Sequence, residues 1–275
     1  MALGLDREER WLCPLPLAHV GGLSILVRSA IYATTAVISA FDAETVVASL
    51  SDPAQRITLA SVVPTMLARL LDAGLREPPT LRWALLGGGP IPPALLARAA
   101  QARVPVAPSY GMTEACSQIA TGGWPLPGVE VQIAADGEIL VRGATVARHA
   151  LAGDGWLHTG DLGGLDDRGR LNVTGRKADT IISGGENVAP AEVEAALLEH
   201  PAVADAAVHS RTDPEWGEAV VATVVVRDGL AVDAEELRGF CAARLAPFKV
   251  PKEIAFAEEL PRTQSGKLLR GSLTV

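Results

Sequence analysis

Apolar residues recur along the chain in two rhythms. Residues 57–63 (ITLASVV) and 81–86 (LRWALL) are short, nearly continuous apolar runs, the pattern of strands buried on both faces. A segment with helical spacing follows each, at 66–71 and 94–102. Pro92 and Pro93 stand near the start of the second, where proline suits a helix opening. Strand, helix, strand, helix predicts a parallel α/β sheet. The longest apolar stretch, 23–38, is broken by Arg28, Ser29, Thr34 and Thr35. It reads as a buried helix–strand unit and not as a membrane span.

After Gly122 the pattern shortens. Residues 130–133, 138–142 and 170–174 read as strands separated by Asp-Gly and Asp-Arg-Gly turns, a compact β-rich section. Beyond Arg176 it changes again. Pro190 opens a helix with Glu192 and Glu194 in its first turn, where the helix dipole favours acids. Residues 202–209, 219–227 and 252–257 are the expected strands. Asp233, three residues before Glu236, predicts a helix cap, and Leu237, Phe240, Cys241 and Leu245 share the face that follows. A small α+β domain of about 100 residues results. The expected fold class is thus α/β in a large domain, 1–176, followed by an α+β domain, 177–275.

Composition narrows the function. The 275 residues are 48% hydrophobic, enough for one large or two ordinary cores. A net charge of −8 and a pI near 5.2 argue against a general nucleic-acid binder, yet local lysines can still serve an anionic ligand. Three scattered cysteines, Cys13, Cys116 and Cys241, have no metal-ligand spacing and suit reduced thiols. The charged N-terminus MALGLDREER lacks a signal-peptide core. A cytoplasmic protein with small-molecule partners is expected, without membrane or nucleic acid; a homo-oligomer stays open.

Four segments carry candidate chemistry. LLGGGP (85–90) lets bare backbone approach a ligand, although a tight strand-to-helix turn explains it as well. SYGMTE (109–114) sets a ring, a glycine, a hydroxyl and a carboxylate within six residues. That set can stack a base, contact a phosphate and hold a divalent metal; a loop leading to a capped helix is the plainer reading. In WLHTGD (156–161), Asp161 can accept hydrogen bonds from a ribose diol, but a Gly-Asp turn is commoner. In LPRTQSGKLLR (260–270), Lys267 can neutralise charge developing on phosphate or carboxylate; a solvated basic tail is the alternative.

Taken in order, with GRK (175–177) and GGEN (184–187), these motifs resemble the adenylate-forming superfamily of acyl-CoA synthetases, peptide-synthetase adenylation domains and luciferases. The resemblance covers essentially the whole chain. WLCPLPLAHVGGLSILVRSAIY (11–32), SYGMTEACSQI (109–119) and TIISGGENVAPAEVE (180–194) are similar to the 2-succinylbenzoate–CoA ligase branch of menaquinone biosynthesis. A ligase for another aryl or fatty acid, and a non-catalytic nucleotide- or CoA-binding remnant, are the competing readings.

The resemblance implies two half-reactions. A carboxylic acid and ATP, with Mg²⁺, give an acyl-adenylate, and coenzyme A then displaces AMP. It implies that Thr113 contacts the α-phosphate, Glu114 ligates Mg²⁺, and Lys267 bridges carboxylate and phosphate. Tyr110 lies by the adenine, with Ser109, Gly111 and Met112 of its motif along the nucleotide, and Gly87, Gly88 and Gly89 line that pocket. Asp161 and Arg176 hold the ribose, and His19 gates the acyl carboxylate. Residues 177–179 form a hinge centred on Ala178. Rotation there exchanges Lys267 for Ser183, Gly184, Gly185 and Glu186, whose glycines let pantetheine pass. One departure stands out. The family's Ser/Thr/Gly-rich loop ending in Pro-Lys-Gly is missing, and only eighteen residues precede His19. A truncated large domain is expected: a fragment, a chain completed by another, or one that has lost full activity.

Overall fold

The computed structural model describes residues 4–263 and 268–273. The chain divides into two compact units. One comprises Met1–Thr159 and Gly163–Val173; the other comprises Gly160–Leu162 and Thr174–Val275.

The first unit begins with β1 (Arg10–Cys13), α1 (Val20–Tyr32), β2 (Thr35–Ile38) and α2 (Ala43–Ser51). It continues through β3 (Leu59–Val62), α3 (Pro64–Asp72), β4 (Trp83–Leu86), α4 (Pro93–Gln101), β5 (Val106–Met112), β6 (Ser117–Thr121) and β7 (Trp124–Pro125). The sheet order is β2-β1-β3-β4-β5-β6-β7. Pairings among β2, β1, β3, β4 and β5 are parallel; β6 and β7 join antiparallel.

Alternation within these strands separates two cores. Leu12, Ala60, Val62, Ala84 and Leu86 face Val46, Leu50, Leu67, Leu70 and Leu95 from α2, α3 and α4. Trp11, Cys13, Leu59, Leu85 and Ala107 face Ile25 of α1. The β3 run is therefore buried on both sides, as its lack of polar alternation predicts. Trp11 satisfies its buried indole N–H on the Ser61 hydroxyl at 3.0 Å.

A second sheet runs β11-β10-β9-β8, built from β8 (Val129–Ile133), β9 (Glu138–Gly143), β10 (Leu157–Leu165) and β11 (Leu171–Arg176). The strand β10 corrects the reading of Gly160-Asp161 as a turn. Leu157, Thr159 and Asp161 alternate inward along it, and two of those three are polar, which hides the period from the sequence.

The second unit adds β12 (Ile181–Ser183), β13 (Glu186–Val188), α5 (Pro190–Leu198), β14 (Val203–Asp213), β15 (Gly217–Val226), α6 (Ala234–Ala242) and β16 (Glu253–Phe256). Its sheet runs β13-β12-β15-β14, and β16 pairs parallel with β15. Val193 and Leu197 of α5 and Leu237 and Cys241 of α6 bury against Val208, Val220 and Val224. Asp233 caps α6 by accepting the Glu236 N–H at 2.8 Å, as its spacing predicts. Burial pushes the Cys241 thiol up to about 11, with Arg244 pulling the other way, so it is protonated at neutral pH. Among the described residues no helix is long and apolar enough to cross a membrane.

The strand β5 changes partner halfway along. Val106, Ala107 and Pro108 pair parallel with β4, and Ser109 onward pairs antiparallel with β6. At Gly111 the strands come so close that an added Cβ would stand 1.7 Å from the Ser117 carbonyl oxygen. Gly111→Ala is expected to destabilise the chain by about 3 kcal/mol, the upper end of overpacking costs. Urea unfolding would read this as a lower midpoint, and an unchanged midpoint would refute the close approach.

Candidate active site

Parallel strands deliver the candidate residues of the first unit at their C-terminal ends, where open α/β sheets place their ligand crevices. After β4 comes the glycine run. An added Cβ on Gly87 would stand 3.0 Å from the Ser109 carbonyl; Gly88 has φ +85° and crowds Val63. Gly89 has nothing within 4 Å and no positive φ. Two of the three glycines thus answer to backbone geometry, and the third faces open space.

SYGMTE is strand and turn, not a loop before a capped helix. Ser109, Tyr110, Gly111 and Met112 end β5, and Thr113–Ala115 form a single 3₁₀ turn. Tyr110 and Met112 pack on the core shared with Ile139, Val141, Leu157 and Leu171. Thr113 and Glu114 are exposed at the turn. The Glu114 carbonyl accepts the Ala147 N–H at 2.8 Å, which fixes its backbone. Among the described residues its carboxylate has no hydrogen-bond partner. Cys116 and Ser117 follow with φ of +51° and +99°, a strained pair of non-glycine residues.

His19 is the N-terminal residue flanking α1, exposed and making no side-chain cap. The helix it opens carries a polar face that the sequence pattern conceals. Arg28 is half-buried. It donates to the Gln118 amide oxygen of β6 and lies 5.7 Å from the Trp11 ring centroid. Gln118 is itself buried and anchored by donating to the Thr121 hydroxyl at 2.8 Å. The Ser24 hydroxyl lies 3.3 Å from that of Ser117. Burial pulls the Arg28 guanidinium down from its ordinary value, with Tyr32 opposing. Sequence reading took Arg28 only as a break in an apolar run; a lone cation among Leu, Ile and Val was the available signal.

In the second unit, Asp161 is 7% exposed and accepts the Arg176 Nε–H at 2.8 Å. The two residues predicted to act together are therefore in contact. Ser183 and Glu186 close the β12–β13 hairpin, and Gly184 and Gly185 form its two-residue tip with φ of +62° and +86°. Such a tip requires positive φ at both positions. A Cβ on Gly184 would also strike the Trp216 ring at 2.9 Å. The glycines thus have a structural reason beside the ligand one. Ser183 is fully buried, and its hydroxyl has no partner among the described residues; only Gly184, Gly185 and Glu186 are exposed there. Lys267 lies outside the described residues. Among those described, no group of three or more His, Cys, Asp or Glu is arranged to hold a metal ion.

Comparison with known proteins accords with this layout. The AMP-binding enzyme family matches residues 1–149, and the AMP-binding enzyme C-terminal domain matches residues 192–267. The 2-succinylbenzoate–CoA ligase of Bacillus licheniformis is 47% identical, over 98% of this chain and 62% of its own length. The o-succinylbenzoate CoA synthetase of Bacillus subtilis, solved with its acyl-adenylate intermediate OSB-AMP, is 42% identical. It superposes with a TM-score of 0.89 over 98% of this chain and 61% of that one. The same synthetase in complex with ATP and magnesium gives a TM-score of 0.88 at 42% identity, over 98% of this chain and 62% of that one. The chain thus spans about 62% of the length of the curated relatives it matches. With two family regions in the right order on an α/β sheet and an α+β unit, the chain belongs to the AMP-binding enzyme family.

Proposed function

We propose that this chain carries the chemistry of a 2-succinylbenzoate–CoA ligase, with 1–176 as part of the adenylating domain and 177–275 as the C-terminal domain. The observation that carries the reading is the 47% identity to such a ligase over 98% of the chain. In the first half-reaction the acid's carboxylate attacks the α-phosphate of ATP and pyrophosphate leaves. In the second, the thiol of coenzyme A attacks the acyl carbon and AMP leaves. Two anions must meet in the first step, so placing positive charge and hydrogen-bond donors is the main demand.

Each residue has a role its position suits. Asp161, oriented by Arg176, accepts from the ribose hydroxyls. Tyr110 offers its ring to adenine beside Gly87, Gly88 and Gly89, while Ser109, Gly111 and Met112 hold the strand in place. Thr113 donates to the α-phosphate. The exposed, unpartnered Glu114 fits a magnesium ion, which takes one or two carboxylates and otherwise substrate phosphates and water. That ion would neutralise phosphate charge. His19 stands at the acyl end, and Lys267 supplies the cation for the reacting carboxylate. The tip Gly184–Gly185, with Glu186, offers bare backbone to pantetheine, and Ser183 contributes through its backbone because its hydroxyl is buried.

Arg28 bears on the acid. 2-Succinylbenzoate has two carboxylates, and the one that is not activated needs a counter-charge. Arg28 is a half-buried cation whose hydrogen-bond partner is a neutral amide. Losing a hydrogen bond to a charged group costs about 1.5–3 kcal/mol. Arg28→Met should therefore raise the KM for 2-succinylbenzoate about 10- to 100-fold and leave that for ATP near its original value; an equal change in both would remove Arg28 from the acid site.

Nucleotide binding tests the ribose site. Asp161→Ala should lose roughly 2 kcal/mol of AMP affinity by calorimetry, the scale for hydrogen bonds to a charged group. Equal affinity in the two proteins would overturn the assignment.

The half-reactions test the function itself. ATP–pyrophosphate exchange dependent on 2-succinylbenzoate, and thioester formation from supplied acyl-adenylate and coenzyme A, are the expected activities. Lys267→Ala should abolish exchange and spare most of the thioester step. Equal loss of both would contradict a role confined to adenylation, and exchange with a different aryl or fatty acid alone would reassign the substrate.

A further inference from the structure

One guanidinium in the second unit is shared among three elements. The Nη2 of Arg270 donates to both oxygens of Glu194 on α5, at 2.6 and 2.8 Å. Its Nε donates to the Val208 carbonyl of β14 at 3.2 Å, and its Nη1 lies 3.5 Å from Asp179. Asp179 ends the 3₁₀ turn Lys177–Asp179, which directly follows Arg176. A second clamp stands nearby. Arg262 donates from Nη2 to both oxygens of Asp205 on β14, at 2.9 and 2.7 Å. Arg262 and Leu268 pair as an antiparallel bridge, and the Leu269 N–H donates to the Pro261 carbonyl at 2.9 Å. The segment that enters at Arg262 and leaves at Leu268 contains Lys267. Both of its ends are stapled to α5 and β14.

The contacts of Arg270 are unequal. Glu194 is 7% exposed and also accepts the Val208 N–H at 2.9 Å. Burial pushes its carboxyl up, while Arg270 and the Val208 N–H draw it down. A buried carboxylate left without its cation is strongly destabilising, so this pair is an anchor. The Asp179 contact is longer, and the Asp179 side chain is 36% exposed, which gives it the weaker scale of a surface ion pair. One firm contact and one that is readily released on the same guanidinium make a latch.

We infer that Arg270 is a positioning residue for Lys267: its Glu194 clamp fixes the exit of the lysine segment, and its Asp179 contact latches that exit to the 177–179 turn. The role of Lys267 in this statement rests on the function proposed above; the latch does not. Because Arg176 holds Asp161 at 2.8 Å, the latch continues a chain of contacts from the ribose acceptor through the turn to the lysine segment.

Limited trypsin digestion of the native 275-residue chain, with cuts mapped by mass spectrometry, tests the latch without any assay of activity. Cuts after Lys177 and Lys267 report on its two sides; cuts after Lys249 and Lys252 are internal controls. Asp179→Asn and Arg270→Lys should each accelerate the first two cuts about fivefold, the effect of losing one weak ion pair on a local opening equilibrium. With Asp179→Asn the control cuts and the Tm should not move, and Asp179→Glu should restore the slow rates. A purely structural role would raise all four cuts together and lower the Tm. That result, or Asp179→Asn leaving the cuts after Lys177 and Lys267 unchanged, would overturn the latch. In ATP–pyrophosphate exchange Asp179→Asn should lower kcat with the acid's KM unchanged and spare the thioester step. Accelerated cuts without that kcat effect would remove the positioning role, whereas an absence of exchange in the unsubstituted chain would count against the function proposed above and leave the latch to the digestion result.

Discussion

The layout of the first unit depends on the contact between Gly111 and the Ser117 carbonyl. Up to Pro108 the sheet is parallel and both of its faces are covered, by α2, α3 and α4 on one side and α1 on the other. From Ser109 onward the same strand pairs antiparallel with β6, and Tyr110, Met112 and Ile119 join a different core with Ile139, Leu157 and Leu171. One strand thus serves two architectures. The change of partner brings β6 against Gly111, where no side chain fits. It also leaves Cys116 and Ser117 in left-handed backbone. Such conformations cost of order 1–3 kcal/mol each and persist where the surroundings over-determine them. Here β6 is held on both edges, by β5 and β7. Thr113 and Glu114 stand exposed at the rim of this junction, so exposure of the polar motif and packing of its neighbours have one origin.

The second unit is held differently at its end. Its core is apolar and closed by Val193, Leu197, Leu237 and Cys241, but the C-terminal segment returns to it through charge. Arg262 and Arg270 reach residues 57 and 76 positions away, Asp205 and Glu194. Arginine suits this use, because its planar fork meets a carboxylate with two bonds and stays charged when partly buried.

Legibility in the sequence followed the range of the interaction. The buried strands at β3 and β4, the helices after them, the start of α5 at Pro190 and the Asp233 cap are local patterns, and the structure has them within a few residues. The strand β10 was missed because Thr159 and Asp161 point inward and break the apolar alternation. The Asp161–Arg176 contact was readable only through the order of the motifs, since nothing local ties two residues fifteen apart. Arg28 and the Arg270 clamp had no signature beyond a charge in its place; their partners come from β6 and α5, and only the folded chain brings them together. The Gly184–Gly185 pair was read for its bareness, whereas hairpin dihedrals and the Trp216 ring constrain it as well.

That constraint bears on how such a protein can diversify. Gly87, Gly88, Gly111 and the Gly184–Gly185 tip offer backbone, and each is held by a close approach or a left-handed dihedral. Selection acts on side chains, so these positions have almost nothing to vary. On α1 the situation is reversed. Ser24 and Arg28 meet β6 through side chains, and both remain partly accessible. They close no turn, and their replacement leaves the strand order untouched. Mutational drift toward new ligands therefore has a permissive helix on which to proceed and a glycine framework it must inherit unchanged.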